Sequence, residues 1–200
     1  MNPSMLTTLR TLLILTLLLL AGLATVFIYK PQSVPKLGNL GGNFTLISSE
    51  GPVSLSDFKG KVVPIYIGYA SCPDVCPTAL AVMSQAFRSL TDQETALVQG
   101  IFISVDPDRD TPEKLATYAR FFSPLILGVT GKQSEVDEVV NLYGAFYRKV
   151  DLADSAMGYA VDHSSRIYLV NQQGTLVKTL LHNSSPNELL ADIRTLLSNQ

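Results

Sequence analysis

Residues 43–200 alternate between short apolar runs typical of buried strands and longer stretches with helical periodicity. The strand-like runs are residues 44–47, 53–55, 62–69, 101–105, 125–129, 166–170 and 175–181. The helical patterns cover residues 77–90, 111–122, 134–148 and the segment that begins at 185. Strands that alternate with helices form a mixed sheet with helices on both faces. We therefore predict an α/β domain that begins with a β-hairpin.

Prolines mark the predicted starts of three helices. Pro77 and Pro112 stand where the first residue of a helix is expected, because that position needs no backbone N–H. Thr111 precedes Pro112 and is the expected cap of that helix. Residues 185–188 (SPNE) have the pattern of a capping box with proline at the first helical position.

The N-terminal segment differs in composition from the rest of the chain. Residues 11–29 are almost unbroken apolar sequence without a charge. As a helix this segment reaches roughly 28 Å, close to the thickness of the bilayer hydrocarbon core. A cleaved signal peptide is the alternative, although the apolar run continues beyond the small residues at 22–24. The predicted organisation is a short tail (1–10), a transmembrane signal anchor (11–29), a linker (30–42) and a folded domain (43–200).

The charge balance argues against a nucleic-acid-binding protein. The chain has 15 basic and 17 acidic residues. Because Arg10 and Lys30 lie in the N-terminal segment, the rest of the chain carries 13 basic residues against 17 acidic ones, a net charge of −4. Nucleic acid binding requires clustered positive charge. We expect no nucleic acid partner.

The two cysteines of the chain, Cys72 and Cys76, are separated by three residues. A pair this close cannot brace distant parts of a fold. It indicates a dithiol–disulfide couple, a chelate for a soft metal, or both. A small local disulfide or two ordinary thiols is the simpler alternative.

A proline follows each cysteine. The residue before a proline is disfavoured in the helical region, so Pro73 and Pro77 predict extended or turn conformations for Cys72 and Cys76. The positive N-terminal end of the next helix favours thiolates. Two thiolates on one loop are a soft chelate for Cu(I), with Zn(II) as the main competitor. The same sulfurs can form a disulfide, and oxidation would then release the metal.

Histidine is the expected third ligand. The order of elements resembles a thioredoxin fold with extra elements, and in such a sheet the loop before residues 166–170 faces the cysteine loop. His163 lies in that loop, whereas His182 follows the last strand at the far end of the sheet. We predict a metal site formed by Cys72, Cys76 and His163, with His182 as a bystander. A surface histidine satisfied by solvent is the alternative interpretation of His163.

Four functions fit the cysteine pair: a metallochaperone, a thiol–disulfide oxidoreductase with Cys72 and Cys76 as its catalytic redox pair, a peroxidase, and a copper or redox sensor. Thioredoxin-type enzymes use CxxC, so the extra residue here and the available His163 favour metal binding. A peroxidase of the peroxiredoxin type usually has a threonine three residues before its reactive cysteine. Tyr69 occupies that position, which argues against a peroxidase.

Several short motifs occur along the domain: residues 58–61 (FKGK), 68–69 (GY), 72–77 (CPDVCP), 105–111 (VDPDRDT), 122–124 (FSP), 128–131 (GVTG) and 161–163 (VDH). With these motifs the chain resembles the Sco/SenC family of copper chaperones over residues 44–197. A CxxxC motif alone would be weak support, whereas its combination with the DPxRDT and VDH segments is specific.

The resemblance implies a membrane-anchored, thioredoxin-like domain that binds one copper per chain through Cys72, Cys76 and His163. It implies a role in assembling the binuclear copper centre of cytochrome c oxidase, by copper delivery, by reduction of its cysteines, or both. The expected partners are the copper-bearing oxidase subunit and other copper chaperones or a thiol reductase. The expected location is the bacterial cytoplasmic membrane with the domain on the periplasmic side, because the N-terminal sequence lacks the character of a mitochondrial transit peptide.

Four aspartates near these motifs have less specific interpretations. Asp106, Asp108 and Asp110 are expected to form either a surface for partner docking or a solvated loop with a helix cap. Asp74, between the cysteines, is expected to be a loop residue or a hydrogen-bond acceptor beside the site rather than a ligand.

Overall fold

The computed structural model describes residues 3–28, 40–153, 155 and 157–198. The chain divides into two compact units, Met1–Val34 and Pro35–Gln200. In the first unit a single helix, α1 (Pro3–Ile28), covers most of the apolar segment and begins inside the predicted tail. Among the described residues, no helix has the length and apolar character needed to cross a membrane. Most of the predicted linker (30–42) lies outside the described residues, which resume at Leu40.

The second unit contains nine strands and five α-helices in its described part. The strands are β1 (Thr45–Ser48), β2 (Gly51–Ser54), β3 (Val63–Gly68), β4 (Gly100–Ser104), β5 (Ile126–Val129), β6 (Tyr147–Asp151), β7 (Tyr159–His163), β8 (Arg166–Val170) and β9 (Leu176–Leu181). The helices are α2 (Val75–Arg88), α3 (Asp92–Ala96), α4 (Pro112–Phe122), α5 (Gln133–Leu142) and α6 (Pro186–Ser198), and a short 3-10 helix spans Leu55–Phe58.

Five strands form the main sheet in the order β5-β4-β3-β8-β9. β3, β4 and β5 are parallel, and β8 and β9 extend the sheet in antiparallel fashion. Every residue of β3 and β4 is buried, as expected for central strands covered on both faces. β1 and β2 form the predicted N-terminal hairpin, with Thr45 opposite Ser54. The predicted mixed sheet with flanking helices is confirmed.

The predicted helix over residues 134–148 is too long. α5 ends at Leu142, and Gly144 then has a φ of 60°, a left-handed conformation that commonly ends helices. The chain instead continues into β6, which pairs with β7 so that Tyr147 lies opposite His163. This hairpin places the C-terminal end of β7, where His163 lies, next to Cys76.

Helix α3 and strands β6 and β7 are not predicted from the apolar pattern. α3 has only five residues and none of them is buried. It forms because Thr91 and Glu94 make a capping box: the Thr91 hydroxyl accepts from the Glu94 backbone N–H, and the Glu94 carboxylate accepts from the Thr91 backbone N–H. Local capping rather than apolar periodicity therefore specifies this element.

Candidate metal centre

Cys72 lies in the loop between β3 and α2, and Cys76 lies in the first turn of α2. The helix begins at Val75, so Pro77 is its third residue and not its first. The prediction of an extended or turn conformation for Cys76 is therefore wrong. Proline is tolerated in a first turn because the backbone N–H groups there have no partner within the helix. Both cysteines are free thiols, with Cys76 buried and Cys72 partly exposed.

His163 is the last residue of β7, whereas the sequence pattern predicts a loop there. Its Nε2 lies 3.3 Å from the Sγ of Cys76. Its Nδ1 lies 3.1 Å from the carbonyl oxygen of Ser164. Because a carbonyl oxygen can only accept, we assign the proton to Nδ1, which leaves the Nε2 lone pair directed at the sulfur.

The three predicted ligand side chains come together. The sulfur atoms of Cys72 and Cys76 and a ring nitrogen of His163 all lie within 4.8 Å of one another. Metal–sulfur bonds are about 2.3 Å long and metal–nitrogen bonds about 2.0 Å, so small side-chain movements bring the three atoms onto one ion. The cluster is a mixed sulfur and nitrogen donor set of the kind that soft metal ions prefer.

Two other residues singled out in the sequence contribute no ligand atom to this cluster in the described part of the chain. Asp74 is exposed at the N-terminal end of α2, where its carbonyl oxygen accepts from the Thr78 backbone N–H at 3.2 Å. His182 follows β9, and its backbone N–H donates to the Ser165 carbonyl at 3.1 Å. These positions agree with their interpretation as a loop residue and a bystander.

The two thiols have opposite electrostatic environments. A hydrogen bond from Cys76 lowers the pKa of Cys72 to about 3, although partial burial opposes this shift. Burial raises the pKa of Cys76, and its hydrogen bond to Cys72 raises it further. At neutral pH the site therefore holds a thiolate at Cys72 and a thiol at Cys76.

Gly68, the last residue of β3, leaves the space that the cluster occupies. A β-carbon at this position would lie 2.5 Å from the Cys76 Sγ, 3.1 Å from the Tyr66 Cε1 and 3.4 Å from the His163 Cε1. The first distance is far inside van der Waals contact, so a side chain here would displace the sulfur. The sequence signal for this role is a glycine at the end of an otherwise bulky apolar strand.

The prediction of a docking surface or a solvated loop is wrong for two of the three aspartates that follow β4. Asp106 and Asp110 are fully buried. Asp108 is exposed and forms a surface ion pair with Lys149 at 2.6 Å. A buried carboxylate requires charged or hydrogen-bonding partners, so Asp106 and Asp110 indicate a specific network.

Asp110 holds the segment that leads to Cys72. Its Oδ2 accepts hydrogen bonds from the Ala70 backbone N–H at 2.8 Å and from the Ser104 hydroxyl at 2.6 Å. Its Oδ1 pairs with the Lys114 ammonium at 2.8 Å. These contacts link the loop after β3 to the loop after β4 and to the first turn of α4.

Arg109 connects the loop after β4 to the strand that carries His163. Its guanidinium pairs with Asp106 and donates to the carbonyl of Tyr159 at 2.9 Å. Its Cζ lies 3.6 Å from the centroid of the Tyr159 ring and 5.6 Å from that of Tyr69. The Tyr69 ring in turn meets the His163 ring edge-on, with 5.7 Å between centroids. One loop thus supports both the cysteines and the histidine.

Comparison with known proteins identifies similar chains and similar folds. The SCO1/SenC family model matches residues 33–198. An SCO2-like protein of Rickettsia conorii is 36% identical over 156 residues, which cover 78% of this chain and 76% of the relative. The structure of Bradyrhizobium japonicum ScoI with copper bound is 36% identical and superposes with a TM-score of 0.71, covering 79% of this chain and 99% of that one.

A more distant structure is BsSco, a member of the Sco family of cytochrome c oxidase assembly proteins in which a disulfide switch has been identified. It is 25% identical, with a TM-score of 0.63, and the match covers 84% of this chain and 100% of that one. The structural matches confirm the predicted thioredoxin-like α/β fold of the domain.

Proposed function

The chain belongs to the SCO1/SenC family, and from this premise we propose that it is a copper-binding metallochaperone that assists assembly of the binuclear copper centre of cytochrome c oxidase. One observation carries the proposal: the Cys72, Cys76 and His163 ligand atoms lie within 4.8 Å of one another on three different segments of the fold. The proposed load is one copper per chain, and the copper is cargo rather than a permanent cofactor.

The donor set favours copper over zinc. Two sulfurs and one imidazole form a soft three-ligand site, which suits Cu(I). Structural zinc sites almost always have four protein ligands. In the described part of the chain, this cluster contains no fourth His, Cys, Asp or Glu side chain. Copper bound to ScoI of Bradyrhizobium japonicum, a structure 36% identical to this chain, supports the same assignment.

The unequal exposure of the two cysteines suits transfer of the ion. Cys72 is partly exposed and ionised, so it can exchange the ion with a thiolate ligand of a partner. Cys76 is buried, and it holds the inner side of the site together with His163. Delivery of copper to the oxidase subunit and reduction of that subunit's cysteines both require the reduced pair, so other copper chaperones or a thiol reductase are proposed partners.

We further propose that residues 11–29 anchor the protein in the bacterial cytoplasmic membrane, with the domain on the periplasmic side. The support is the uncharged apolar run of the sequence, whose helical length of roughly 28 Å matches the hydrocarbon core. This location would place the domain beside a membrane-bound oxidase. Fractionation of cells and protease treatment of spheroplasts test it, and recovery of the chain in the cytosolic fraction would contradict it.

Copper stoichiometry tests the proposed function. The reduced full-length protein is loaded anaerobically with Cu(I) and compared with Cys72→Ser, Cys76→Ser and His163→Ala, with His182→Ala as the matched control. We expect one copper per chain in wild type and in the control, and loss of tight binding in the three site variants. Copper retained equally by the site variants, or not taken up by wild type, refutes the metal site. A His163→Ala protein that loses copper but still supports oxidase assembly would favour the thiol–disulfide oxidoreductase.

A further inference from the structure

Tyr66 is a fully buried residue of β3 whose hydroxyl makes no well-formed hydrogen bond among the described residues, although it lies close enough to the Cys76 sulfur for a weak one. Its ring is nearly parallel to that of Phe102, with 6.4 Å between centroids. It meets the His163 ring edge-on at 6.1 Å. The orientation of the ring is therefore fixed by packing, yet a buried hydroxyl without a well-formed hydrogen bond is unfavourable and requires an explanation.

The Tyr66 side chain shares the space around Gly68 with the cysteine sulfur. Tyr66 and Gly68 are two residues apart on one strand, so both face the same side of the sheet. From a β-carbon position on Gly68, the nearest atoms are the Cys76 Sγ at 2.5 Å, the Tyr66 Cε1 at 3.1 Å and the His163 Cε1 at 3.4 Å. The Cε1 atom is bonded to the ring carbon that carries the hydroxyl, so the hydroxyl lies at the edge of the metal site.

The hydroxyl keeps its proton under the conditions in which the site binds metal. Burial raises the pKa of Tyr66 above its ordinary value, and negative charge on Cys76 and Cys72 raises it further. A thiol sulfur such as that of Cys76 is a weak acceptor, whereas a thiolate accepts hydrogen bonds strongly. Because a cysteine binds a metal ion as the thiolate, the loaded site offers the Tyr66 O–H a strong acceptor at its edge.

We propose that Tyr66 is a positioning residue of the metal centre, and that its O–H donates a hydrogen bond to the Cys76 sulfur when that sulfur is a copper-bound thiolate. The proposal rests on the proposed function, because the thiolate acceptor forms when Cys76 binds the ion. It explains why a buried hydroxyl without a well-formed hydrogen bond lies at this position in the metal-free protein, since the donor is fully paired when copper is bound.

The hydrogen bond has a chemical consequence for the cargo. A donor to a metal-bound thiolate withdraws electron density from the sulfur and weakens its donation to the ion. Cu(II) depends on that donation more than Cu(I) does, so the hydrogen bond favours Cu(I) and raises the reduction potential of the bound copper. Tyr66 would thus help to keep the cargo in the reduced state.

The test compares full-length wild type with Tyr66→Phe, which removes only the hydroxyl. Tyr143→Phe is the matched control, because it removes the hydroxyl of another fully buried tyrosine. The Tyr143 ring packs against Phe44 at 6.0 Å and against Tyr168 at 5.7 Å, and its hydroxyl donates to the Gly42 carbonyl at 3.2 Å. The readouts are copper stoichiometry, the reduction potential of the bound copper, the energy of the sulfur-to-copper charge-transfer band, and the unfolding temperature with and without copper.

We expect Tyr66→Phe to bind copper with unchanged stoichiometry and to increase the ratio of Cu(II) affinity to Cu(I) affinity roughly tenfold, the size typical of one lost charge-assisted hydrogen bond. Its charge-transfer band should move to lower energy, and copper should raise its unfolding temperature less than that of wild type. Tyr143→Phe should match wild type in copper stoichiometry, potential and band energy, and its loss of stability should be the same with and without copper. The metal-free Tyr66→Phe protein should be about as stable as wild type, since it loses a hydroxyl that is at most weakly paired.

Three results would overturn the proposal. The first is a Tyr66→Phe protein with the wild-type potential and band, and the second is an equal change of potential and band in Tyr143→Phe. The third is a metal-free Tyr66→Phe protein that fails to fold, since the hydroxyl would then have a strong partner without metal. A wild-type protein that takes up no copper refutes the proposed function and the hydrogen bond together, whereas a loaded wild type identical to loaded Tyr66→Phe refutes the hydrogen bond alone.

Discussion

The Asp110 carboxylate accepts a hydrogen bond from the backbone N–H of Ala70 at 2.8 Å, although the two residues are 40 positions apart in the sequence. Ala70 is two residues before Cys72, so this bond fixes the start of the cysteine loop. The Lys114 ammonium, which pairs with Asp110, also donates to the Ser71 hydroxyl at 3.4 Å. The position of the partly exposed ligand, Cys72, therefore depends on a buried carboxylate from another loop.

Replacement of Asp110 by alanine should lower the free energy of unfolding by about 2–4 kcal/mol, because the Ala70 N–H and the Ser104 hydroxyl lose their buried acceptor. Copper affinity should also fall, since the cysteine loop is no longer held. Denaturant unfolding and Cu(I) competition titrations measure the two effects. Asp108→Ala removes an exposed carboxylate from the same loop and should leave both quantities almost unchanged. Equal behaviour of the two variants would show that the Asp110 bond does not position the loop.

Replacement of Gly68 by alanine should abolish tight copper binding, because the new methyl group would lie 2.5 Å from the Cys76 Sγ and would push the sulfur out of the cluster. Copper content after gel filtration measures this loss. Gly100→Ala is the matched control in the neighbouring strand, where the methyl would lie 2.9 Å from the Phe87 Cε2. The control should lose stability by core crowding and still bind one copper per chain. Copper uptake by Gly68→Ala at the wild-type level would contradict the packing argument.

The centre of the main sheet was predictable because β3 and β4 are apolar along almost their whole length. All six residues of β3 and all five of β4 are buried. Their apolar sequence runs therefore predict strands even when the neighbouring strands are unknown. The convergence of Cys72, Cys76 and His163 was predictable for a related reason, since the order of elements sets which loops meet. The alternation of strands and helices in the sequence was therefore enough to predict most of the fold and the positions of the three ligand residues.

The supporting network was not predictable, because its residues break the usual rules of burial. Aspartates are rarely fully buried unless paired, and although the ion pairs of Asp106 and Asp110 are local, their hydrogen bonds to Tyr159 and Ala70 come from residues distant in the sequence. β6 and β7 have only one buried residue between them, Val161, and lack a continuous apolar pattern, so their mutual pairing defines them. Tertiary contacts rather than local preference decide both features.

Cys72 should react with iodoacetamide at a rate nearly independent of pH between about pH 5 and 8, because a thiol with a pKa of about 3 is ionised throughout this range. Cys76 should remain unmodified, since it is buried and its pKa is raised. Mass spectrometry of the peptides gives both rates. In the unfolded protein both cysteines should react, with rates that rise about tenfold per pH unit up to near pH 8.5. The same steep rise for Cys72 in the folded protein would contradict its low pKa.

Binding of Cu(I) should release about one proton per chain near pH 7. Cys72 is already a thiolate at this pH, so only Cys76 has a proton to lose when both sulfurs bind the ion. Because a rise in pH favours this loss, the Cu(I) affinity should increase about tenfold per pH unit, whereas two protonated thiols would give about a hundredfold increase.

Calorimetric titrations in buffers with different protonation enthalpies count the released protons directly. Cys76→Ser is the informative variant, because its remaining thiol is the ionised one: any copper that it binds should release almost no proton. Cys72→Ser retains the protonated thiol and should still release about one proton for each ion that reaches Cys76. Release of about two protons by wild type would mean that Cys72 is a thiol in the metal-free protein. The predicted difference in ionisation between Cys72 and Cys76 would then be wrong, even if the assignment of the three ligands is correct.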